Sequence, residues 1–233
     1  MISQNSLYLV PVPIGEKGET GTAIRSVISA CPFFITEEIR TARRFIRSID
    51  KEKNIDLCTF AEFNEHNCNK GTAEIEALFA DFPVAVLMSE AGIPCVADPG
   101  WQVVRLAHKL NRRVIPLSGP SSVYMALMAS GIQGQRFMFH GYIPVKREAR
   151  LRYLRDMEQK IRTDMATQIF METPYRNNAL MEDLTNSCNP ALMLSVSAGI
   201  ESDLAFTATK SIGEWKKELP DLHKIPAVFV MGI

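Results

Sequence analysis

The sequence predicts an α/β protein with two domains, a mainly parallel sheet over residues 1–117 and a mixed sheet over residues 118–233. Three observations support this prediction. In the first half, apolar strand-like runs alternate with amphipathic helical stretches, as in a parallel sheet covered by helices. In the second half, strand-like runs outnumber helices. Between the two patterns lies Ser118–Ser122, a break made of Gly, Pro and Ser.

The elements of the first half follow from the spacing of their apolar residues. Short apolar runs predict strands at Leu7–Val12, Phe33–Thr36, Val84–Met88 and Arg113–Leu117. Apolar residues three or four positions apart predict helices at Glu37–Ile49, Thr72–Phe82 and Trp101–Leu110. Val84–Met88 is apolar throughout, which is typical of a strand buried on both faces of a parallel sheet.

The second half opens with an apolar helix, Val123–Ser130, which a serine caps. Two further helices are predicted at Glu148–Arg162 and Pro174–Ser187. Strands are predicted around them at Arg136–His140, Gln168–Glu172, Leu192–Ser197, Leu204–Thr209 and Ala227–Met231. The strands are too many for strict strand–helix alternation, so this sheet is expected to be mixed.

Composition narrows the class of protein. With 46% apolar and 22% charged residues, the chain is expected to fold rather than to be disordered. Its 26 basic side chains balance 26 acidic ones, so no overall charge indicates a nucleic-acid or membrane partner. The five cysteines form no CxxC pair, which argues against a disulfide framework or a zinc site. No apolar run approaches the ~20 residues of a membrane span, and no export signal is evident, so a cytoplasmic protein is expected.

Several common site motifs are absent from the sequence. It contains no P-loop, no HExxH and no GxSxG, and its four histidines are well separated. The segment Gly15–Gly21 does not meet the G-x-G-x-x-G pattern, and its two acids would repel a pyrophosphate. Nucleotide-phosphate and metal chemistry therefore have no local support, and no metal is expected.

Four loops qualify as ligand sites because ligands of open α/β sheets bind beyond the carboxyl ends of the strands. These loops are Pro11–Gly15, Ala91–Gly100, Ser118–Ser122 and Glu172–Arg176. Gly permits close backbone approach and Pro stiffens a loop, so main-chain groups could grip a ligand there. The alternative for each loop taken singly is an ordinary tight turn.

Two basic stretches have two interpretations each, a solvated helix face or a footprint for a phosphate backbone. The first contains Arg40, Arg43, Arg44, Arg47, Lys51 and Lys53. The second contains Lys146, Arg147, Arg150, Arg152, Arg155, Lys160 and Arg162, against three acidic residues.

The order of five segments is more specific than any single loop. They are Leu7–Gly15, Ser89–Gly100, Val114–Ser122, Phe137–Pro144 and Phe170–Arg176. Together they resemble the tetrapyrrole-methylase superfamily of S-adenosylmethionine-dependent methyltransferases. Within it, Glu37–Thr41 (EEIRT) and Phe60–Asn67, which ends in Glu-His-Asn, are similar to elements of the rRNA small subunit methyltransferase I family.

The resemblance implies a two-lobed class III methyltransferase, usually a homodimer, which binds S-adenosyl-L-methionine (SAM) in the cleft between its lobes and methylates the 2′-hydroxyl of a cytidine in 16S rRNA. Carried over position by position, its cofactor-binding residues are Pro13, Gly15, Ala91, Gly92, Ile93, Pro94, Ser121, Ser122, Phe139 and Thr173. The backbone of the Ala91–Pro94 loop would hold the methionine part of SAM, whereas Asp98 and Gly100 would shape that loop.

A ribose hydroxyl is a poor nucleophile until its proton is removed, so a general base would assist the reaction. Glu37 and Glu172 are the candidates, because each lies at a strand end with an arginine nearby, Arg40 and Arg176. The tentative catalytic set is therefore Glu37, Arg40 and Glu172. The alternative is that these residues form Glu–Arg ion pairs that fix the loops.

Two segments depart from the family pattern. Glu16–Glu19 replaces an Asn-Leu pair and an Asp, and Ser197–Asp203 lacks the usual Arg and Lys. Three functions follow as hypotheses. The first is 2′-O-methylation of 16S rRNA, with rRNA or the small ribosomal subunit as partner. The second is methylation of a tetrapyrrole carbon, and the third is a SAM-binding RNA-interaction protein with impaired catalysis.

Overall fold

A computed structural model of the chain describes residues 3–233, apart from the side chains of Asn69 and Lys70. Its contacts divide it into two compact units, the first ending at Ser121 and the second spanning Ser122–Ile233. In the first unit the elements are β1 (Ser6–Val10), α1 (Thr22–Ala30), β2 (Phe33–Thr36), α2 (Ile39–Ile49), β3 (Thr59–Glu62), α3 (Cys68–Asp81), β4 (Val84–Met88), α4 (Trp101–Lys109) and β5 (Arg113–Pro116). In the second they are α5 (Ser122–Ala129), β6 (Phe137–Tyr142), α6 (Arg147–Asp164), β7 (Thr167–Glu172), α7 (Asn177–Ser187), β8 (Met193–Ala198), β9 (Phe206–Ser211), α8 (Ile212–Trp215) and β10 (Ala227–Gly232).

The first unit is built on a five-stranded sheet in the order β3-β2-β4-β1-β5, and every pairing in it is parallel. The side chains of β4 alternate between two cores. Val86 packs with α1 and α2 residues such as Ile28 and Ile46. Leu87 packs with α3 and α4 residues such as Ile75 and Val103. Helices therefore cover both faces, and the predicted parallel sheet is confirmed.

The second unit contains a mixed sheet in the order β6-β7-β10-β8-β9, in which only β6 and β7 are parallel. Its central strand β10 also serves two cores. Phe229 stacks on Phe170 at 5.6 Å between ring centroids and faces α6 and α7, whereas Val228 and Val230 face α5. The mixed sheet expected for the second half is confirmed.

Some elements differ from the sequence-based prediction. The helices α1 and α8 and the strand β3 were not predicted. Two helices begin later than expected: α2 begins at Ile39 because Glu38 caps it, and α7 begins at Asn177 after a turn closed by the Arg176 N–H and the Thr173 carbonyl. In the described part of the chain, no helix is both long and apolar enough to cross a membrane.

Candidate functional site

Three of the four predicted ligand loops meet at the carboxyl edge of the first sheet. β1 lies between β4 and β5, so the loops that follow these strands are neighbours. Val12 and Gly92 form an antiparallel bridge, with N···O distances of 2.9 and 2.8 Å. A Cβ atom placed on Gly92 would lie 3.6 Å from the carbonyl oxygen of Pro120. The loops after β1, β4 and β5 are therefore in mutual contact.

Two glycines make this contact possible. Gly92 has a φ of +72°, a left-handed conformation that a residue with a side chain adopts only under strain. Gly119 packs against the ring of Pro11 so closely that a Cβ atom there would lie 2.3 Å from the Pro11 Cβ. The close approach of the loops at these two positions is possible because neither residue carries a side chain.

The topology makes this edge a place for a ligand. The chain leaves β1 toward the core that contains α1 and leaves the adjacent β4 toward the opposite core, which contains α4. In open α/β sheets, a crevice forms where neighbouring strands send their connections to opposite faces.

The structure places the predicted cofactor residues of the first unit along these loops. Pro13 and Gly15 line a cavity of about 450 Å³. In the β4 loop, Ala91 is exposed, Ile93 is half-buried, and Gly92 and Pro94 are buried. Ser121, after β5, is also buried.

One detail of the β4 loop differs from what the resemblance implies. The N–H and the carbonyl of Gly92 are both bonded to Val12, and the Ala91 carbonyl accepts the Ser89 hydroxyl at 3.2 Å. These groups already have partners within the chain. Gly92 therefore positions the loop, and its main-chain groups are not free to hold a ligand.

Glu37 follows β2 and faces other carboxyl groups. Its side chain forms a hydrogen bond with the carboxyl group of Asp98 and accepts the N–H of Glu90. Burial, the hydrogen bond to Asp98 and the charge of Asp98 together raise the pKa of Glu37 to about 8. At neutral pH, therefore, one proton lies between the carboxyl groups of Glu37 and Asp98.

An ion pair between Glu37 and Arg40, the alternative to a catalytic role for these residues, is not present among the described residues. Glu38 is the N-cap of α2, and its carboxylate accepts the main-chain N–H groups of Arg40 and Thr41 at 2.7 and 2.6 Å. This places Arg40 on the exposed side of the helix, and its guanidinium forms no ion pair within residues 3–233.

A narrow crevice beside Glu37 is lined by residues of β2, β4 and α2, among them Thr36 and Met88, and by Ser89, which follows β4. The hydroxyl of Thr36 is buried and has no hydrogen-bond partner in the part of the chain that the structure describes. A buried polar group of this kind is costly unless a water or a ligand satisfies it. Sequence reasoning missed Thr36 and treated Asp98 only as a loop-shaping residue.

Glu172, the last residue of β7 in the second unit, is paired with an arginine, whereas Glu37 faces other carboxyl groups. The side chain of Glu172 is fully buried, and one carboxylate oxygen accepts the Thr173 N–H at 2.6 Å and the Arg176 guanidinium at 2.7 Å. The predicted Glu172–Arg176 pair is therefore present. Four side-chain atoms here are buried without a partner among the described residues: the second carboxylate oxygen of Glu172, the Thr173 hydroxyl, the Arg176 Nε and the Asn177 Oδ1.

The other predicted residues of the second unit have different surroundings. Ser122 begins α5 and is half-buried. Phe139 pairs in register with Ile169 and packs in the core beneath α5, so its observed role is packing. Across residues 3–233, no three His, Cys, Asp or Glu side chains are grouped closely enough to hold a metal ion.

In sequence, the chain is similar to ribosomal RNA methyltransferases. The chain is 31% identical over 178 residues to the ribosomal RNA small subunit methyltransferase I of Vibrio cholerae, a match that covers 76% of this chain and 59% of that protein. The protein of the same name from Leptospira borgpetersenii is 29% identical, over 98% of this chain and 88% of its own length. No family model matches the chain. The chain spans 54–60% of the length of the relatives from Vibrio, Escherichia coli and Micromonospora.

Among solved structures, the uroporphyrin-III C-methyltransferase of Thermus thermophilus, crystallised with S-adenosylhomocysteine, superposes with a TM-score of 0.56. The two chains are 15% identical, and the superposition covers 97% of each. This likeness shows a shared fold. Taken together, the comparisons show that the chain has the fold of this methyltransferase and is similar in sequence to rRNA small subunit methyltransferase I proteins.

Proposed function

We propose that this protein is a SAM-dependent methyltransferase that acts on the RNA of the small ribosomal subunit, at the 2′-hydroxyl of a ribose. The meeting of the loops after β1, β4 and β5, locked by the Val12–Gly92 bridge, carries the proposal. It assembles the residues that the resemblance assigns to the cofactor within the first unit. The names of the sequence relatives support the choice of RNA as substrate.

The residues at this edge fit SAM chemically. SAM carries a positively charged sulfonium, and the edge carries the carboxyl groups of Glu37, Glu90 and Asp98. An acidic surface complements a cationic ligand. The unpartnered hydroxyl of Thr36 offers a further polar group to a ligand. The cofactor would lie along Pro13, Gly15, Ile93, Pro94 and Ser121.

When bound, SAM supplies a methyl group activated by its positive sulfur, and the protein has to align the acceptor oxygen with that group and keep water away. The Val12–Gly92 bridge and the contact between Gly119 and Pro11 hold the loops rigid for this alignment. No metal is needed for this chemistry.

Glu37 is the proposed general base. Its pKa of about 8 makes its carboxylate a better proton acceptor than an ordinary glutamate, and a ribose hydroxyl has to lose a proton during the reaction. Glu172 is proposed to position the loop that follows β7, because Arg176 holds its buried carboxylate. We expect the rate of methyl transfer to rise with pH up to about 8, and this rise to disappear in Glu37→Gln.

Calorimetric titration with SAM tests cofactor binding. We expect saturable binding by the natural protein and its loss in Gly92→Trp, since the side chain would enter the site. Gly131→Trp is the matched control, because Gly131 also has a positive φ but a Cβ atom there would meet open space. Absence of binding by folded protein would overturn the proposal.

The target atom is tested with small ribosomal subunits and SAM labelled at the methyl group. A methylated 2′-oxygen can no longer attack the adjacent phosphodiester, so the labelled linkage should resist alkaline hydrolysis. Label in alkali-sensitive nucleotides would contradict the ribose assignment. SAM binding without any incorporation of labelled methyl groups would instead favour a SAM-binding RNA-interaction protein. The altered segment Ser197–Asp203 is the reason to consider that function.

A homodimer in the cytoplasm, where small ribosomal subunits are found, is also proposed. Tyr124 and Phe137 form an exposed edge-to-face pair at 6.0 Å on α5 and β6, and nearby in α5 the side chain of Met128 is 80% exposed. Apolar surface of this kind is typical of protein interfaces. Light scattering should report a dimer, and Met128→Glu should shift it toward monomer; a natural protein that is monomeric would contradict the proposal.

A further inference from the structure

One face of α2 carries a line of cations. Arg40, Arg44 and Arg47 recur at intervals of four and three residues, which places them on the same side of the helix, and Lys51 follows the helix end. All four side chains are exposed. The opposite side of α2 is buried through Ala42 and Ile46. We call Arg40, Arg44, Arg47 and Lys51 the cationic stripe.

The stripe has no structural partner among the described residues. None of its four side chains forms an ion pair or a side-chain hydrogen bond with an acidic residue there. Arginines three and four positions apart repel one another, and a cation in the first turn opposes the helix dipole. Glu38, the N-cap, lies near Arg40, but its carboxylate is occupied by main-chain N–H groups. Arg40 in the first turn therefore works against the helix dipole, whereas Arg47 in the last turn favours it, and the stripe as a whole gains no ion pair within the described residues.

Neighbouring cations in the same stretch do have structural roles. Arg43 forms an ion pair with Asp56 and lies over the ring of Phe60. Lys53 donates to the carbonyl groups of Ser29 and Cys31, each at 2.9 Å. Arg43 and Lys53 thus support the fold, whereas the residues of the cationic stripe are exposed.

The second basic stretch, in α6, differs in the same respect. Arg147 and Arg150 both bind Asp183, and the Arg150–Asp183 pair is buried at 2.6 Å. Arg162 pairs with Glu158. Arg147 and Arg150 thus fasten α6 to α7, and Arg162 pairs within α6. Lys146, Arg152 and Arg155 stay exposed without an ion pair among the described residues, but three of the five arginines of this stretch have structural roles, whereas those of the stripe on α2 have none.

The stripe begins at the proposed active site. α2 follows directly after Glu37, and its residues Phe45, Ser48 and Ile49 line the cavity of about 450 Å³ that Pro13 and Gly15 also line. Glu16 and Glu19 line the same cavity, which makes the cavity itself a poor place for phosphate. The positive charge lies beside the cavity, on the helix.

From these observations we infer that the cationic stripe binds the phosphate backbone of the RNA strand that delivers its target ribose to Glu37. The inference rests on the proposed function and deepens it. The Cα atoms of Arg40, Arg44 and Arg47 are separated by about 6 and about 4.5 Å along the helix axis, and their long side chains extend from there. Successive phosphates rise about 3.4 Å along one strand of a duplex, so neighbouring arginines can reach neighbouring phosphates.

The test compares two triple variants that each remove three exposed, unpaired cations. Arg44→Gln, Arg47→Gln and Lys51→Gln remove most of the stripe and leave Arg40, which is closest to the site. The matched control is Lys146→Gln, Arg152→Gln and Arg155→Gln, at and along α6. The affinity for a short oligouridylate is measured by fluorescence anisotropy over a series of salt concentrations.

Each phosphate contact on a single strand adds about 0.7 to the slope of log K against log salt concentration. We therefore expect the stripe variant to lower the slope by about 2 and the affinity by roughly 100-fold near 0.1 M salt. The α6 variant should retain the slope of the natural protein. Thermal unfolding confirms that both variants are folded.

Equal slopes for the stripe variant and the natural protein would overturn the inference, as would an equal loss in the α6 variant or no binding of the oligonucleotide at low salt. SAM titration separates these results from failure of the proposed function. A stripe variant that binds SAM normally but loses RNA supports the inference. A natural protein that binds neither SAM nor RNA would instead contradict the proposed function.

Discussion

Glu37 and Glu172 occupy corresponding places in the two units and have opposite surroundings. Each glutamate lies at the carboxyl end of a strand, and each has an arginine a few residues further along the chain. Glu172 is fully buried and bound to Arg176. Glu37 is half-buried, faces Asp98 and Glu90, and has no contact with Arg40.

The start of the following helix decides this difference. Glu38 caps α2, so Arg40 already belongs to the helix and its side chain is exposed. Arg176 precedes α7 as its N-cap residue, and its guanidinium reaches back to Glu172. Relative to its glutamate, α7 begins three residues later than α2. Because of this shift, Glu172 is bound by its arginine and fastens a loop, whereas Glu37 is not bound by Arg40 and can exchange a proton.

Removing the arginine from the second unit should have the largest effect. Arg176→Met leaves the carboxylate of Glu172 buried without a compensating charge, which we expect to lower the free energy of unfolding by about 3 kcal/mol. Urea denaturation measures this. Arg147→Met is the control, because Arg147 is mostly exposed and its partner Asp183 keeps Arg150; its cost should stay below about 1 kcal/mol. Similar costs for the two variants would contradict the comparison.

The same substitution at both glutamates should give a smaller but sharper contrast. Glu172→Gln removes a charge that Arg176 needs, and we expect it to cost about 2 kcal/mol. Glu37→Gln replaces a protonated carboxyl group by an amide that can also donate to Asp98, so near pH 6 it should cost less than about 0.5 kcal/mol. Urea denaturation of both variants in one buffer measures the two losses in the free energy of unfolding. Equal losses for Glu37→Gln and Glu172→Gln would show that Glu37 is ionised.

The pH dependence of stability should show the smallest effect. Between its ordinary pKa of 4.5 and about 8, Glu37 holds a proton in the folded chain that the unfolded chain has released. Its contribution is therefore fully present below about pH 4.5 and is lost as the pH rises toward 8. Because solvent screens a half-buried group, we expect a loss of about 1 kcal/mol.

This loss should be absent from Glu37→Gln and retained in Glu172→Gln. Unfolding free energies measured at several pH values for the natural protein and both variants provide the check. A curve for Glu37→Gln that runs parallel to that of the natural protein would show that another group holds the proton.

Much of the fold could be predicted because the strands are short apolar runs with sharp ends. Phe33–Thr36 and Val84–Met88 have the predicted bounds in the structure. Local spacing also identified the Glu172–Arg176 pair, since its two members are four residues apart in the chain. Patterns of this kind depend only on neighbours in sequence.

What could not be predicted depends on contacts between distant segments. Asp98 reaches Glu37 only because β2 and β4 are adjacent strands, and no local pattern joins these two acids. The bridge from Val12 to Gly92 has the same origin. The helix α1 was missed because its apolar residues Ile24, Val27 and Ile28 are few and follow a glycine-rich segment that is typical of a loop.

The position of β1 in the first sheet has a consequence for synthesis of the chain. Ser6 pairs with Val84 on one side and Arg113 on the other, so β1 gains both of its partners only when β4 and β5 have been made. In the second unit, β8 and β9 are successive strands that pair as soon as both exist. Pairing between distant segments is slow and leaves apolar strands unprotected meanwhile. On the ribosome, then, β1 is an aggregation-prone segment that stays unpaired until nearly the whole of the first unit has emerged.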